Sequence, residues 1–341
     1  MLSKIDGRNM IMSEKIIVTG GCGFIGGHFL DYIHSKTDSE IIVLDKLSYA
    51  SNINVIPNSS QFKFVWCDIS NESHVNYIFN EYKPTKVFHF AAESHVDNSI
   101  KNYKPFLESN VIGTINLLNA SLKVDLEKFH HVSTDEVYGS LEYDSDELFT
   151  EETQIDPRNP YSASKASSDH FVSTWNNTYK LPYLITRCSN NYGPNQHHEK
   201  LIPRVITNAL KGKKTYMYGG GNQTRDWLHV KDHCAAIWLL DELKVINDIF
   251  NIGGDCEKTN LNVTKSILDI MSKPYNLIGV SGEEQSLDDP FYKPLEAPYY
   301  RPGQDSRYGT DHSKLTNLTG WKPSVKFEKG LNEVVMEYMK K

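Results

Sequence analysis

Short runs of β-branched and aromatic residues alternate with longer stretches of helical spacing along the first 190 or so residues of this 341-residue chain. Runs of the first kind are typical of strands, and stretches of the second kind are typical of amphipathic helices. We predict strands at 15–19, 41–45, 62–67, 87–90, 128–132 and 183–186, and helices near 24–35, 102–122 and 160–179. Because strands that alternate with helices form a parallel sheet covered on both faces, the pattern predicts a doubly wound α/β fold.

A glycine-rich loop joins the first predicted strand to the first predicted helix. Gly20, Gly23 and Gly26 have the spacing of a dinucleotide-binding fingerprint, which needs a tight turn, close approach of backbone to pyrophosphate, and close helix–sheet packing. The second strand ends at Asp45, about twenty residues further on, where a carboxylate takes the ribose hydroxyls and repels a 2′-phosphate. The sequence therefore predicts a Rossmann-type domain that binds NAD.

The ends of the next two strands supply further candidate contacts to the cofactor. An adenine contact is expected just after the third strand, and small residues after the fourth would let the cofactor pass close to the backbone. The predicted cofactor-binding residues are Gly20, Gly23, Phe24, Ile25, Gly26, Asp45, Lys46, Asp68, Ile69, Ala91, Ala92, Tyr161 and Lys165.

Two adjacent acids follow the fifth strand, in the heptad of residues 133–139. Open α/β sheets keep their ligands at the carboxyl ends of strands. Asp135 and Glu136 can share one pocket only if the backbone turns there, as Gly139 would permit, because neighbours on an extended segment point to opposite faces. Taken alone, the heptad favours a polar strand end with solvated acids.

Tyr161 and Lys165 lie one turn apart at the start of the predicted helix 160–179. An ammonium beside a phenol favours the phenolate and lowers a pKa that is about 10 when unperturbed, so the tyrosine becomes a base near neutral pH. A Tyr/Lys pair on a helix surface is the ordinary alternative. The upstream NAD fingerprint and the hydroxyl of Thr134 favour a catalytic pair instead.

Composition excludes several classes of function. A formal net charge of -7 without a basic block argues against a nucleic-acid surface, and no apolar run is long enough to cross a membrane. Five scattered cysteines without CxxC spacing favour a reduced compartment over a disulfide framework or zinc site. We expect a cytoplasmic protein without a metal.

The alternation of strands and helices becomes less regular beyond residue 187. We expect residues 14–187 to form the Rossmann domain, with a strand and a helix from 226–252 returning to it, and residues 188–341 mainly a smaller C-terminal substrate-binding domain. Residues 1–13 are polar without an apolar core, and we interpret them as a disordered leader rather than a secretory signal.

The order of motifs in this chain resembles that of extended short-chain dehydrogenases/reductases, and within them the nucleotide-sugar 4,6-dehydratases, above all the dTDP-glucose enzymes. The motifs are the glycine loop, the heptad 133–139, Tyr161-x-x-x-Lys165, the segment 187–194, Lys200-Leu201-Ile202-Pro203, Arg225-Asp226-Trp227 and Arg301-Pro302-Gly303. The acid pair discriminates, because similar UDP-sugar 4-epimerases usually lack it. A 4-epimerase and a non-catalytic NAD-binding sensor are the alternatives.

The resemblance implies roles for five residues in an NAD-dependent dehydration on a route to rhamnose or other deoxysugars. Tyr161 takes the proton of the glucose 4-hydroxyl, Thr134 orients that oxygen, and Lys165 holds the phenolate. Glu136 removes the C5 proton and Asp135 protonates the departing 6-hydroxyl. The hydride taken from C4 then returns to C6, so there is no net redox change.

The resemblance also implies that the later part of the chain binds the sugar nucleotide. The predicted substrate residues are Ser94, His95, Asn190, Lys200, Leu201, Tyr218, Arg225, Asn260, Arg301 and Gln304, with the arginines on the diphosphate and the tyrosine against the base. The family often has histidine where this chain has Gln304, and residues 195–199 also depart from the usual pattern. The choice between dTDP and UDP stays open, and we expect both to be accepted.

Relatives pair two long helices across a two-fold axis, so we expect a homodimer. Helix 102–122 carries apolar residues at roughly helical spacing that would suit such a seam: Phe106, Val111, Ile112, Ile115 and Leu118. The alternative is that this stripe faces only its own sheet.

Overall fold

Seven parallel strands form the central sheet of this protein, in the order β10-β6-β5-β4-β1-β2-β3. The structure, a computed structural model, describes residues 14–280 and 301–340, so the predicted leader lies outside the described residues. The strands are β1 (Lys15–Thr19), β2 (Glu40–Asp45), β3 (Phe62–Trp66), β4 (Lys86–His89), β5 (Lys128–Thr134), β6 (Tyr183–Cys188), β7 (Asn190–Tyr192), β8 (Thr215–Met217), β9 (Thr224–His229), β10 (Asp248–Ile252), β11 (Glu257–Thr259) and β12 (Ile278–Val280). The predicted α/β fold with a parallel sheet is confirmed.

Helices cover both faces of this sheet. They are α1 (Phe24–Ile33), α2 (Glu72–Tyr82), α3 (Val96–Lys101), α4 (Lys104–Phe106), α5 (Gly113–Ser121), α6 (Pro160–Tyr179), α7 (Leu201–Leu210), α8 (Val230–Glu242), α9 (Asn260–Ile270), α10 (Ser313–Thr319) and α11 (Phe327–Lys340). Helices α1 and α8 share one apolar cluster with the sheet, and α2, α5 and α6 share the other. Strands buried on both faces are continuous apolar runs, as β1 and β2 are.

The helix predicted over 102–122 is confirmed as one continuous run over 104–121 that contains a π-helical turn, Leu107–Ile112, between α4 and α5. Asn102 is extended and its side chain accepts a bond from the backbone of Lys104 at the start of this run. The Asn110 carbonyl accepts the hydroxyls of Thr114 and Ser168. These side-chain donors take a carbonyl that an α-helix would pair with backbone.

Residues beyond β6 form smaller units around a third apolar cluster, which contains parts of α7, α9 and α11. Strands β11, β9 and β7 form a three-stranded sheet, and β12 pairs with β8. In the predicted returning segment 226–252, β9 belongs to this small sheet, whereas α8 packs on α1 and β10 pairs with β6. The division of the chain into two domains stays a prediction. No helix in the described part of the chain has the length and apolar character to span a membrane.

Candidate active site

A cleft runs along the carboxyl ends of β1, β2, β4, β5 and β6, beside the point where strand order reverses. Most of the predicted cofactor residues line it: Gly20, Gly23, Phe24, Ile25, Gly26, Asp45, Lys46, Ile69, Ala91, Ala92, Tyr161 and Lys165. Asp68 is not part of this lining, and its carboxylate accepts bonds from the backbone and hydroxyl of Ser70 in the turn after β3. The adenine contact expected for Asp68 stays a prediction.

The glycine loop has the close contacts that its spacing predicts. Gly20 has a φ of +68°, and a Cβ there would lie 2.6 Å from the backbone nitrogen of Ala91. A Cβ on Gly26 would lie 2.2 Å from the Gly20 carbonyl oxygen, so only glycine lets α1 begin so close to β1. A Cβ on Gly23 would meet only that same oxygen, at 3.1 Å, and would otherwise fill the cleft. The loop leaves room for a ligand at the N-terminus of α1.

Asp45 is held rigidly at the end of β2. One carboxylate oxygen accepts bonds from the backbone of Leu47 and the hydroxyl of Ser51, and the other accepts one from the backbone of Cys22. The second oxygen retains acceptor capacity, since a carboxylate oxygen has two lone pairs. The acid is therefore oriented by the protein and can still accept a ligand hydroxyl.

The acid pair lies where β5 turns directly into a 3₁₀ helix, Asp135–Tyr138. Thr134 Oγ1 accepts the backbone N–H of Glu136 at 3.3 Å, which fixes this turn. Both Asp135 and Glu136 line the cleft. The predicted turn thus exists, but the 3₁₀ helix makes it, and Gly139 with a φ of +91° only ends it.

The two acids experience different fields. Burial, the neighbouring Glu136 and Asp226 raise the pKa of Asp135 well above its usual range. Burial and Asp305 also raise the pKa of Glu136, and three cations oppose this rise: Arg225, Arg301 and Lys200. Only Arg225 among these cations opposes the rise at Asp135, so Asp135 holds its proton more readily than Glu136 does.

Tyr161 and Lys165 both line the cleft, yet the pKa of the tyrosine shifts opposite to the prediction. Burial and the charge of Glu136 raise it well above 10, and a hydrogen bond with Thr134 only partly opposes this. Burial lowers the pKa of Lys165 to about 8. The lysine ammonium donates to the Val132 carbonyl at 2.9 Å. The sequence-based expectation counted the ammonium but not the burial or the nearby carboxylate.

Three predicted substrate residues, Ser94, Asn190 and Lys200, line the same cleft. The lysine donates to the Ser94 carbonyl at 2.8 Å across the cleft. His95 caps α3 instead, and its ring nitrogen lies 3.9 Å from a carboxylate oxygen of Glu199. The remaining predicted residues lie outside the lining of this cleft: Leu201, Tyr218, Arg225, Asn260, Arg301 and Gln304.

The two predicted arginines are close enough to act on Glu136 electrostatically, but each already has protein partners. Arg225 stacks on Tyr308, with its guanidinium carbon 4.0 Å from the ring centroid, and donates to two backbone carbonyls. Arg301 pairs with Asp97 at 3.1 Å and lies over the ring of Tyr218. Tyr218 also lines a second, smaller cavity next to β8.

Sequence models and known proteins resemble this chain over nearly its whole length. The model of the GDP-mannose 4,6 dehydratase family matches residues 17–334. The dTDP-glucose 4,6-dehydratase of Neisseria gonorrhoeae is 42% identical over 340 residues, 96% of each chain, and that of Escherichia coli is 41% identical over 95% of this chain and 93% of its own. This chain belongs to the nucleotide-sugar 4,6-dehydratase family of extended short-chain dehydrogenases/reductases. The family predicted from the motifs is confirmed.

Solved structures of this family have the same fold. The dTDP-glucose 4,6-dehydratase of Streptomyces venezuelae, solved with NAD bound, has a TM-score of 0.86 at 36% identity and covers 96% of this chain and 97% of its own. A UDP-glucose 4-epimerase of Thermus thermophilus, in complex with NAD, has a TM-score of 0.82 at 28% identity, covering 95% and 99%. The fold is therefore shared by dehydratases and epimerases and does not by itself distinguish them.

Ser133 Oγ and Asn190 Oδ1 belong to residues that line the cleft and are buried without a hydrogen-bond partner among the described residues. Buried polar atoms normally find partners, so unpaired atoms around a cleft indicate a polar ligand. Sequence reasoning missed Ser133, because a serine at a strand end carries no signal. No group of three or more His, Cys, Asp or Glu in the described chain could hold a metal.

Proposed function

We propose that this protein is an NAD-dependent hydro-lyase that dehydrates dTDP-glucose to its 4-keto-6-deoxy form. The observation that carries the proposal is the pair Asp135 and Glu136, turned into one cleft beside Tyr161 and held in unlike electrostatic fields. A 4-epimerase has no leaving group and needs no acid to protonate one. The pair therefore supports dehydration over epimerisation.

The residues at the carboxyl ends of β1, β2 and β4 fit NAD. The open space at Gly23 suits a pyrophosphate, the spare acceptor of Asp45 suits ribose hydroxyls, and Ala91 and Ala92 leave the cleft floor unobstructed. NAD in its oxidised form supplies the acceptor for the hydride of the sugar. Asp45 disfavours a 2′-phosphate, so NADP is not the expected cofactor.

Tyr161 is the proposed base for the sugar 4-hydroxyl. Thr134 lines the same cleft, and its side chain lowers the pKa of the phenol, so it can orient the reacting oxygen. Lys165 supplies the positive charge that favours phenolate. Because burial and Glu136 oppose that charge, the phenolate needs a further positive charge, and it becomes easier to form whenever Glu136 is neutral.

Elimination of water needs one ionised and one protonated carboxyl group. Three nearby cations favour the ionised form of Glu136, which suits the removal of the C5 proton. Burial and a neighbouring carboxylate keep a proton on Asp135, which suits protonation of the departing 6-hydroxyl. Two adjacent acids with opposed environments thus divide the work of base and acid.

The cations Lys200, Arg225 and Arg301 are the proposed partners of the substrate diphosphate, with the unpaired amide oxygen of Asn190 for a sugar hydroxyl. Dehydratases that are 42% identical to this chain are named for dTDP-glucose, which supports that substrate. Thymine and uracil differ by one methyl group, and Gln304 carries no charge, so we expect UDP-glucose to be accepted as well.

A homodimer is proposed from exposed apolar side chains on the helices predicted to pair. Of the predicted stripe, Phe106 and Leu118 are buried within their own chain, whereas Ile112 is 47% exposed. Other exposed apolar side chains lie on the same helices: Tyr103, Leu107 and Tyr179. Light scattering at micromolar concentration should give the mass of two chains. A monomeric mass would reject the dimer.

The free cysteines of the described chain support a reduced, cytoplasmic compartment.

The proposed activity is tested by incubating the purified protein, with NAD, with dTDP-glucose and UDP-glucose separately. We expect a product lighter than the substrate by the mass of one water. Conversion of glucose to galactose at unchanged mass would identify a 4-epimerase. Protein that retains NAD but leaves both sugars unchanged would indicate a non-catalytic NAD-binding sensor.

A further inference from the structure

A buried chain of polar groups leads away from Lys165 beneath the cleft. Lys165 Nζ lies 3.2 Å from His131 Nε2, and that nitrogen lies 3.4 Å from Asp169 Oδ1. Asp169 Oδ2 accepts Arg187 Nε at 2.9 Å, and Arg187 also donates to the Tyr138 hydroxyl at 2.9 Å. The chain therefore joins β5, α6 and β6 by direct contacts.

The buried chain of polar groups contains more positive than negative charges. Lys165 and Arg187 are cations, Asp169 is the anion between them, and all three are nearly inaccessible to water. Burial and the adjacent cations lower the pKa of His131 to about 4, so the imidazole is neutral at pH 7. Asp169 and Arg187 form an ion pair, and Lys165 is left as the one surplus positive charge of these four groups.

Asp169 acts on the lysine through charge. Burial lowers the pKa of Lys165, and Asp169 is the larger of the two groups that raise it again. Without Asp169, two buried cations would lie close together with no anion between them. The lysine would lose its proton first, because the guanidinium of arginine stays charged.

His131 connects the lysine to the acid through a single atom. Nε2 can accept a proton from the lysine or donate one to Asp169, but a neutral imidazole nitrogen cannot do both. Its Nδ1 has no hydrogen-bond partner among the described residues. With the imidazole neutral, Nε2 accepts from the lysine ammonium. Asp169 Oδ1 has no hydrogen-bond partner among the described residues and acts on the lysine through charge across this nitrogen.

We propose that Asp169 and His131 are positioning residues for Lys165, which hold its ammonium charged and directed beside Tyr161 through this buried chain. The catalytic use of that charge rests on the proposed function, whereas the presence of the charge on Lys165 does not. The titratable groups that interact with the ammonium come from four elements: Asp169 on α6, His89 on β4, His131 on β5, and Cys188 on β6. Arg187 acts on His131 and Asp169, and Tyr161 lines the same cleft as Lys165.

The test compares two buried carboxylates. Asp169→Asn removes the charge beneath the cleft. Asp241→Asn is the matched control, because Asp241 is equally buried and pairs with Lys128 and Lys86 at the amino ends of β5 and β4, the opposite edge of the sheet. His131→Leu is a second variant that leaves the Asp169–Arg187 pair in place, should Asp169→Asn not fold.

The first readout requires no turnover. The titration of the Lys165 ammonium in the NAD-loaded enzyme is followed by NMR of ¹³C-labelled lysine side chains, and the Lys165→Met protein identifies its signal. We expect Asp169→Asn and His131→Leu to lower the pKa of Lys165, which is about 8, by about one unit, a tenfold change in the ratio of ammonium to amine. Asp241→Asn should leave it unchanged. Equal titrations in Asp169→Asn and Asp241→Asn would overturn the proposal.

The second readout is kcat for dehydration against pH. Lys165 must keep its proton, so activity should fall as pH rises through its pKa of about 8. In Asp169→Asn this alkaline fall should move to lower pH by about one unit. A uniform loss at every pH, matched by Asp241→Asn, would mean that Asp169 only stabilises the fold. An inert wild type, together with the expected shift of the Lys165 titration in Asp169→Asn, would reject the proposed activity while supporting this inference.

Discussion

Replacement of Glu136 by glutamine should separate the oxidation of the sugar from its dehydration. Glu136→Gln removes the proposed base for the C5 proton but keeps the size of the side chain. General-base catalysis contributes about 10²–10⁴-fold, or roughly 3–5 kcal/mol of barrier, so dehydration should slow by that factor. NADH should then accumulate on the enzyme after dTDP-glucose is added.

The structure also predicts what should happen to the first step. Glu136 is the largest electrostatic contribution that raises the pKa of Tyr161, so the glutamine variant should form phenolate more readily. It should also lower the pKa of Asp135, which Glu136 raises. We therefore expect NADH to form at the wild-type rate or faster at neutral pH, followed by stalled elimination.

Stopped-flow absorbance of NADH and mass spectrometry of the sugar nucleotide measure the two steps separately. Glu93→Gln is the matched control, because Glu93 also lines the cleft but pairs with Lys46 and has no proposed proton to move. It should dehydrate at nearly the wild-type rate. Wild-type dehydration by Glu136→Gln, or a loss no greater than in Glu93→Gln, would refute the assignment of the base.

Three further predictions address the base, the loop and the nucleotide. Tyr161→Phe should form no enzyme-bound NADH on addition of substrate, and formation at the wild-type rate would mean that another group is the base. Gly26→Ala should lower the free energy of unfolding by about 1–3 kcal/mol and weaken NAD binding. Gly23→Ala, whose Cβ enters the cleft, should weaken NAD binding at a nearly unchanged melting temperature. A larger loss of stability in Gly23→Ala than in Gly26→Ala, measured by calorimetry, would contradict this. The ratio of kcat/KM for dTDP-glucose and UDP-glucose should stay below about a thousandfold, since one methyl group is worth about 1–3 kcal/mol, and a larger ratio would require a contact not described above.

The strands of the sheet could be predicted because each of them is a short run of apolar, β-branched residues in the sequence. The β-branched runs of β1 and β2 are buried on both faces, so burial selects one kind of residue at every position. The π-helical turn before α5 was not predictable in the same way. The Asn110 carbonyl in that turn accepts the hydroxyl of Ser168, a residue 58 positions away. Only the folded chain brings those two groups together.

For the site, too, one part could be predicted from the sequence and another could not. Types and spacings of residues predicted which groups carry the chemistry, since Asp135, Glu136, Tyr161 and Lys165 all line one cleft. They did not predict the direction in which the pKa of Tyr161 shifts. That direction depends on burial and on a carboxylate brought close by a 3₁₀ turn, and neither is a property of the Tyr-x-x-x-Lys spacing.

The position of Thr134 has a consequence for how the enzyme returns to its starting state. With the roles proposed above, one cycle leaves an extra proton on Tyr161, taken from the 4-hydroxyl, and removes one from Asp135, lost with the departing water. Glu136 returns its proton to C5 and ends unchanged. Thr134 donates to Asp135 at 3.3 Å, and its side chain also lowers the pKa of Tyr161. A single hydroxyl thus acts both on the group that ends with an extra proton and on the group that ends without one.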